Sequence, residues 1–356
     1  MNLTNPFKTT DATTFLEQAV RAFTTDAVER LIASLPIVGD DEYVFHAGDP
    51  SEGWREGCLH WYPVGGERGN AGRIKLAGAP ENPIAERTVN SFEAIIEMMR
   101  QLELRSGYID PPPTPREAVR RYFDLPPLSE VPKMHQLIKG QQPRKYVREL
   151  AKQIRIRLVR EDKQYSVAIE DDAIGQAPAR IHSTLLSLGE SDKGDKPYLI
   201  GVFGQGGSSA YATCTYSWVI SRRHPDLLNG AEDGIGWTVI KHVYPKGRRD
   251  DYFAYLAAHP DGRVPVLPGE SGEAISLRHG TTFTHINYDF GRRTEPARHL
   301  YPALNHLLFN PILPYELYTG PGRKADPMFG NGYRLSLNRK KQVELDKTFR
   351  DQIVEV

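Results

Sequence analysis

Residues 154–159 and 165–170, reading IRIRLV and YSVAIE, alternate apolar and polar positions on either side of a short EDKQ connection. A period of two sends successive side chains to opposite faces, so the pair predicts an antiparallel hairpin with one buried face. The runs TYSWVIS, WTVIKHV, YFAYLA and TTFTHINY read as further strands. Helical spacing appears elsewhere. Phe15, Val20 and Phe23, then Val28, Leu31, Ile32 and Leu35, predict two short helices over about 12–35. Asn82 as N-cap and Pro83 at the first helical position open a longer helix to about Leu104. Its apolar stripe is Ala85, Val89, Phe92, Ile96 and Met99, and a polar stripe of Glu86, Asn90, Glu93 and Glu97 lies beside it. Shorter helices are expected near 146–152 and 295–309. Helices in blocks and strands in antiparallel runs point to an α+β layer.

Two regions fit this pattern less well. Residues 40–80 are rich in Gly and aromatics and suggest short strands and turns. Residues 108–133 carry so many prolines that a continuous helix or a central strand is excluded, and the expectation is an insertion or a surface excursion.

Composition then narrows the function. Forty-five basic residues cancel forty-five acidic ones over 356 residues, so no overall field marks a nucleic-acid or membrane partner. No apolar run approaches the roughly 18 residues that span a bilayer, and the start lacks a basic and then apolar leader; the expectation is a cytoplasmic chain without a membrane partner. Cys58 and Cys214 are the only cysteines, too few for a disulfide scaffold or a structural zinc site. Cys58-x-His60 reads as a thiol beside a strand histidine, and His224-Pro-Asp226 as a turn.

Four clusters could carry chemistry. Glu86 and Asn90, four apart, share one helix face, where a carboxylate can deprotonate a water and an amide oxygen can hold magnesium. Glu170-Asp171-Asp172-Ala173-Ile174-Gly175 ends a strand in acids and then Gly, which puts a carboxylate at a sheet edge and lets a flat ligand approach. Gly189-Glu-Ser191-Asp-Lys193 follows a helix end and carries one loop lysine. Gly201-Val-Phe-Gly204-Gln-Gly206-Gly207-Ser208-Ser209 is a turn suited to cradling phosphates with backbone amides. Taken alone, the first three are better explained by a solvated helix face, an acidic turn and a solvated lysine. Walker A chemistry is excluded because no Gly-Lys-Ser/Thr follows, and neither Ser208 nor Ser209 lies in GxSxG. A dinucleotide alternative persists, because Gly204-x-Gly206-x-x-Ser209 approximates GxGxxG and Arg222 and Arg223 lie where an NADP 2′-phosphate would be received.

In their order along the chain, Glu86-x-x-x-Asn90-Ser-x-Glu93-Ala, Asp171-x-Ala173-x-Gly175, Ser-Leu-Gly189-x-Ser191-x-Lys193, Gly201-x-Phe-Gly204-x-Gly206 and Gly280-Thr281-Thr282 resemble the motifs of the GHKL ATPases, the superfamily of gyrase, the ninety-kilodalton heat-shock chaperone, histidine kinases and MutL. LLSLGESDKG, LIGVFGQGGSSA and GTTFTHINYDF look most like the MORC, MutL and chaperone branches, and the resemblance spans residues 82–104 and 165–320. It implies a Bergerat-type two-layer sandwich, a mixed and mostly antiparallel sheet with helices on one face. Residues 81–320 would form the ATP-binding domain with a Pro-rich insertion at 106–145. Residues 1–80 would be an extension, and 321–356 a C-terminal segment, the start of a transducer-like domain.

By the same resemblance, Glu86 is the general base, Asn90 the magnesium ligand, Glu93 a member of the nucleotide site and Asp171 the acceptor of the adenine amino group. Gly175 lets the base pack close, and Lys193 sits on an ATP lid. Gly201, Gly204, Gly206, Gly207 and Ser208 meet the phosphates, and Thr281 or Thr282 supports Asp171. The implied protein binds ATP and Mg2+, hydrolyses slowly, dimerises on ATP and acts on a protein or DNA client in prokaryotic genome defence or repair. The alternatives are a non-hydrolysing nucleotide-sensing subunit and, more remotely, the NADP-dependent oxidoreductase. Ala173 departs from the usual DxGxG, the stretch from Asn90 to Asp171 is long for the family, and no residue is assignable to the transducer lysine.

Overall fold

The computed structural model describes residues 9–38, 54–74, 77–137, 140, 142–188, 196–200, 206–245, 251–320 and 323–337. In chain order its elements are helices α1 (Thr9–Arg21) and α2 (Thr25–Ala33), strand β1 (His60–Pro63), helices α3 (Asn82–Arg105), α4 (Pro115–Phe123) and α5 (Pro143–Ala151), and strands β2 (Ile154–Glu161) and β3 (Gln164–Asp171). After these come β4 (Tyr216–Arg222), β5 (Gly234–Val243), β6 (Tyr252–Ala257), β7 (Val266–Pro268), β8 (Gly280–Ile286), α6 (Pro296–Leu307), β9 (Tyr315–Tyr318), β10 (Asp326–Met328) and α7 (Gly330–Ser336). The fold is α+β, as expected.

Ten strands among the described residues form one sheet in the order β1-β6-β5-β4-β8-β3-β2-β9-β10, with β7 paired to β5. Every pairing is antiparallel except β2 with β9. The predicted hairpin is β2–β3, turned by Asp162 and Lys163 at φ 46° and 65°. Two consecutive residues at positive φ are what a two-residue type I′ turn demands, and its twist matches that of the strands.

One face of the sheet carries Ile154, Ile156, Val167 and Ile169, which pack with Phe92, Ile95 and Ile96 of α3 and with Val147 of α5 and Leu300 of α6. The opposite face is covered in part by the first two helices. Phe15 of α1 lies 4.5 Å from the Trp237 ring and 6.0 Å from Trp218. Residues 9–35 thus add a partial third layer to the sandwich, and β1 extends the same sheet through β6. Over β2 and β3 that second face is polar, with Arg155 opposite Glu170 in register and paired to it and to Asp172. Cross-strand opposite charges stabilise the pair without demanding a covering layer.

The Pro-rich segment starts on the surface, with Tyr108 and Ile109 exposed, and then turns into the core rather than staying a surface excursion. Thr114 accepts the Glu117 amide as an N-cap, and Pro115 stands in the first turn of α4, where its missing N–H costs nothing. Asp124 ends that helix in the left-handed region at φ 53°. Leu125, Leu128 and Val131 beyond it are fully buried, each contributing about 1.5–3 kcal/mol by leaving water. Arg100, buried on α3, donates to the carbonyls of Tyr108, Ile109 and Asp110 and pairs with Glu103, which also takes Arg121 and the Tyr122 hydroxyl. Beyond Pro314, β10 pairs with β9, and Tyr333 of α7 joins the main core.

Candidate functional site

The end of β3 delivers Asp171 into the sheet rather than to solvent. In register it faces Thr281 of β8, and its carboxylate is buried against α3. The backbone N–H of Thr281 donates to Oδ1 at 3.1 Å, and that of Ala173 reaches the same oxygen at 3.3 Å. The Ser91 hydroxyl donates to Oδ2 at 2.9 Å. Burial pushes the carboxyl up to about 6, and these three donors pull against it. Below that value the group is an acid; above it, a three-donor carboxylate with acceptor capacity left on Oδ2.

Two glycines make this approach possible. Gly175 adopts φ +59°, and a Cβ there would lie 1.8 Å from the Arg222 carbonyl oxygen of β4. At Gly280 it would lie 1.9 Å from the Asp171 carbonyl. The turn after β3 is further pinned by His279 Nδ1 on the Ala173 carbonyl, by the His224 N–H on the Ile174 carbonyl and by Arg223 on that of Gly175. So Gly175 is required by close strand packing whatever else approaches it. Behind Thr281, Ser221 of β4 shares a 2.8 Å hydrogen bond with the Thr281 hydroxyl and accepts the Gln176 amide. Thr282 pairs with Glu170 and Ile220 on the other face of the sheet, so it is Thr281, through its backbone, that meets Asp171.

The polar stripe of α3 is not simply solvated. Glu93 is buried and accepts the Ile200 N–H at 2.8 Å. Glu97 accepts Lys196 at 2.9 Å and the Tyr198 hydroxyl at 3.0 Å, so the described residues 196–200 lie against this helix. Asn90 is half-buried between these groups and Glu86. Glu86 is exposed at the rim; partial desolvation raises its pKa, opposed by the Ser209 hydroxyl at 3.4 Å and by Arg87. A carboxylate raised in this way, near solvent, can take a proton from water.

Gly206, Gly207 and Ser208 begin a 3-10 helix, Gly206–Thr213, that packs along α3. Lys193, Gly201 and Gly204 lie outside the described residues. The 3-10 helix leads into antiparallel β4, whereas a dinucleotide motif needs a parallel βαβ crossing. Arg222 is bound to Asp233 and the Leu277 carbonyl, and Arg223 to the carbonyls of Gly175 and Leu227.

Several neighbours had no assigned role in the sequence. Ser91 stands beside Asn90 in the helix motif, and that adjacency was its only signal. Arg87 is buried over the Phe283 ring at 3.7 Å and near Tyr211. An open pocket of about 500 Å3 at the other end of β3 and β8, lined in part by Lys163, Tyr165, Cys214, Asn287 and Arg293, includes none of the predicted residues. Among the described residues no group of three or more His, Cys, Asp or Glu could hold a metal ion, and no helix is long and apolar enough to cross a membrane. Both cysteines are free. No protein-family model matches the chain, and no curated protein matches it.

Proposed function

We propose that the chain is a GHKL-type ATPase that binds ATP with magnesium, hydrolyses it slowly and uses occupancy of the site to drive a conformational or dimerisation switch in the cytoplasm. One observation carries this reading. Asp171 is a buried carboxylate whose oxygens are held by Ser91 and by the Thr281 and Ala173 amides, against the helix that also carries Glu86, Asn90 and Glu93. A carboxylate fixed in this way selects a flat ligand that offers an exocyclic N–H, as adenine does.

Along α3 from that acceptor, Asn90 supplies an amide oxygen and Glu86 a base. Magnesium, when bound with the nucleotide, neutralises phosphate charge; a single protein amide oxygen fits an ion that takes its other ligands from phosphates and water. Glu86 orients and deprotonates the attacking water, helped by its raised pKa. Gly206, Gly207 and Ser208 offer backbone amides to the phosphates at the start of their helix. Lys193, Gly201 and Gly204 join the reading through the sequence resemblance, as do the homodimer and a protein or DNA client.

Nucleotide affinity measured with and without magnesium, for wild type and Asp171→Asn, tests the assignment. ATP affinity should fall at least tenfold in the mutant, about 1.4 kcal/mol. Equal affinity in the two proteins would remove the adenine role. Single-turnover cleavage by wild type and Glu86→Ala separates an ATPase from a non-hydrolysing sensor, because a wild type that binds ATP and never releases phosphate is the sensor.

A further inference from the structure

At the end of the sheet away from Asp171, three side chains around the β5–β6 connection form a hydrogen-bonded chain. His242 lies opposite Phe253 in register, and its imidazole stacks on that ring at 4.2 Å and 12°. Its Nε2 is 2.6 Å from Asp251 Oδ2, and its Nδ1 is 2.7 Å from the Tyr244 hydroxyl. The directions of these bonds follow from what each group can donate. With Asp251 ionised and the ring neutral, Nε2 carries the proton, Nδ1 offers a lone pair and Tyr244 donates to it. Phenol to imidazole to carboxylate is the same polarity that activates a serine in a Ser-His-Asp triad. The phenol is accessible, since Tyr244 is 72% exposed, while Phe253 and Asp251 fix the ring plane.

We propose that Tyr244, His242 and Asp251 form a second reactive site in which Tyr244 is a nucleophile toward a neutral carboxylic ester. The Tyr244 oxygen bonds to the acyl carbon and the ester C–O bond breaks. The phenolic proton passes to His242 Nδ1 and from there to the departing alkoxide. Water then attacks the acyl-tyrosine ester, His242 takes its proton, and the tyrosine leaves reprotonated with release of the carboxylic acid. Asp251 stays ionised throughout and is a positioning residue. An acyl donor is named because phenol to imidazole to carboxylate is the polarity of acyl transfer. The site shares no residue with the proposed nucleotide site.

The test uses the full chain and p-nitrophenyl acetate, with stopped-flow detection of the released phenolate and peptide mass spectrometry of the product. Wild type should show a burst equal to the chain concentration and an acetyl group on Tyr244, and Tyr244→Phe should show neither. His242→Ala should slow the burst about 100-fold, the scale of a lost general base. Asp251→Asn should slow it as well and alter its pH profile. Acetyl groups found only on lysines, a burst that persists in Tyr244→Phe, or labelling of Tyr244 by p-nitrophenyl phosphate and not by the acetate would each overturn the proposal.

Discussion

Ser91 donates its hydroxyl to Oδ2 of Asp171 across 2.9 Å, joining helix α3 to the end of β3 over eighty positions of chain. A hydrogen bond to an ionised buried group is worth about 1.5–3 kcal/mol, and one to a neutral group about half that. Ser91→Ala should therefore destabilise the fold more above the Asp171 pKa of about 6 than below it. Urea denaturation on both sides of that pH measures the difference. An equal loss in the two conditions would mean that Ser91 acts through packing alone.

The direction of the Asp171 shift fixes a second outcome. Its carboxyl rises from 3.8 to about 6 on folding, chiefly by burial, so the folded chain holds this proton more tightly than the unfolded chain does. The contribution to stability is then fully present below about 3.8 and is lost as pH rises through about 6, a swing of about 3 kcal/mol. Asp171→Asn removes the charge while keeping an oxygen for the two amides. It should be more stable than wild type above pH 6, with the gap closing toward 3.8. ATP affinity of wild type should move in the opposite sense, falling as acid protonates the acceptor. A stability difference that does not vary with pH would refute the linkage.

Gly175→Ala separates strain from collision. The residue adopts φ +59°, and an added Cβ would sit 1.8 Å from the Arg222 carbonyl, a backbone atom that cannot swing away. Gly291 has a similar φ of +63° and nothing within 4 Å of its Cβ position. Gly291→Ala should lose only the left-handed penalty, about 1–2 kcal/mol. Gly175→Ala should lose about 3–5 kcal/mol or fail to fold. Comparable denaturation midpoints for the two variants would contradict the close approach of β4.

Much of this arrangement is local enough to read along the chain. The β2–β3 hairpin follows from alternation, α3 from its apolar stripe, and Asp171 from its place at a strand end. The Pro-rich segment was misplaced because α4 is only nine residues long and bracketed by prolines, although Thr114-x-x-Glu117 carried a capping signal. The burial of Glu93 and the pairing of Glu97 are not legible in the polar stripe because their partners, Ile200, Lys196 and Tyr198, lie about a hundred positions away. The same holds for α1 and α2. Their periodicity shows an apolar face, and only the fold shows that it meets Trp218 and Trp237.

Arg87 tests how far a buried charge can go with two of its three guanidinium nitrogens unbonded. The residue is 5% exposed, and Nε and Nη2 make no hydrogen bond, while the Phe283 face lies 3.7 Å from the guanidinium carbon. A desolvated cation–π contact returns about 2 kcal/mol, whereas withdrawing a charge from water costs several, less whatever the neighbouring Glu86 carboxylate returns. The ring contact alone does not offset the desolvation cost. Arg87→Met keeps the length and apolar volume of the stem while removing the charge. It should leave stability unchanged or raise it by about 1–2 kcal/mol in urea denaturation. The loss of positive charge should also push the Cys214 thiol higher than the value of about 12 to which burial already drives it, so alkylation of Cys214 should slow. A destabilisation beyond about 2 kcal/mol would mean that the ring contact outweighs desolvation and that Arg87 is a structural cation.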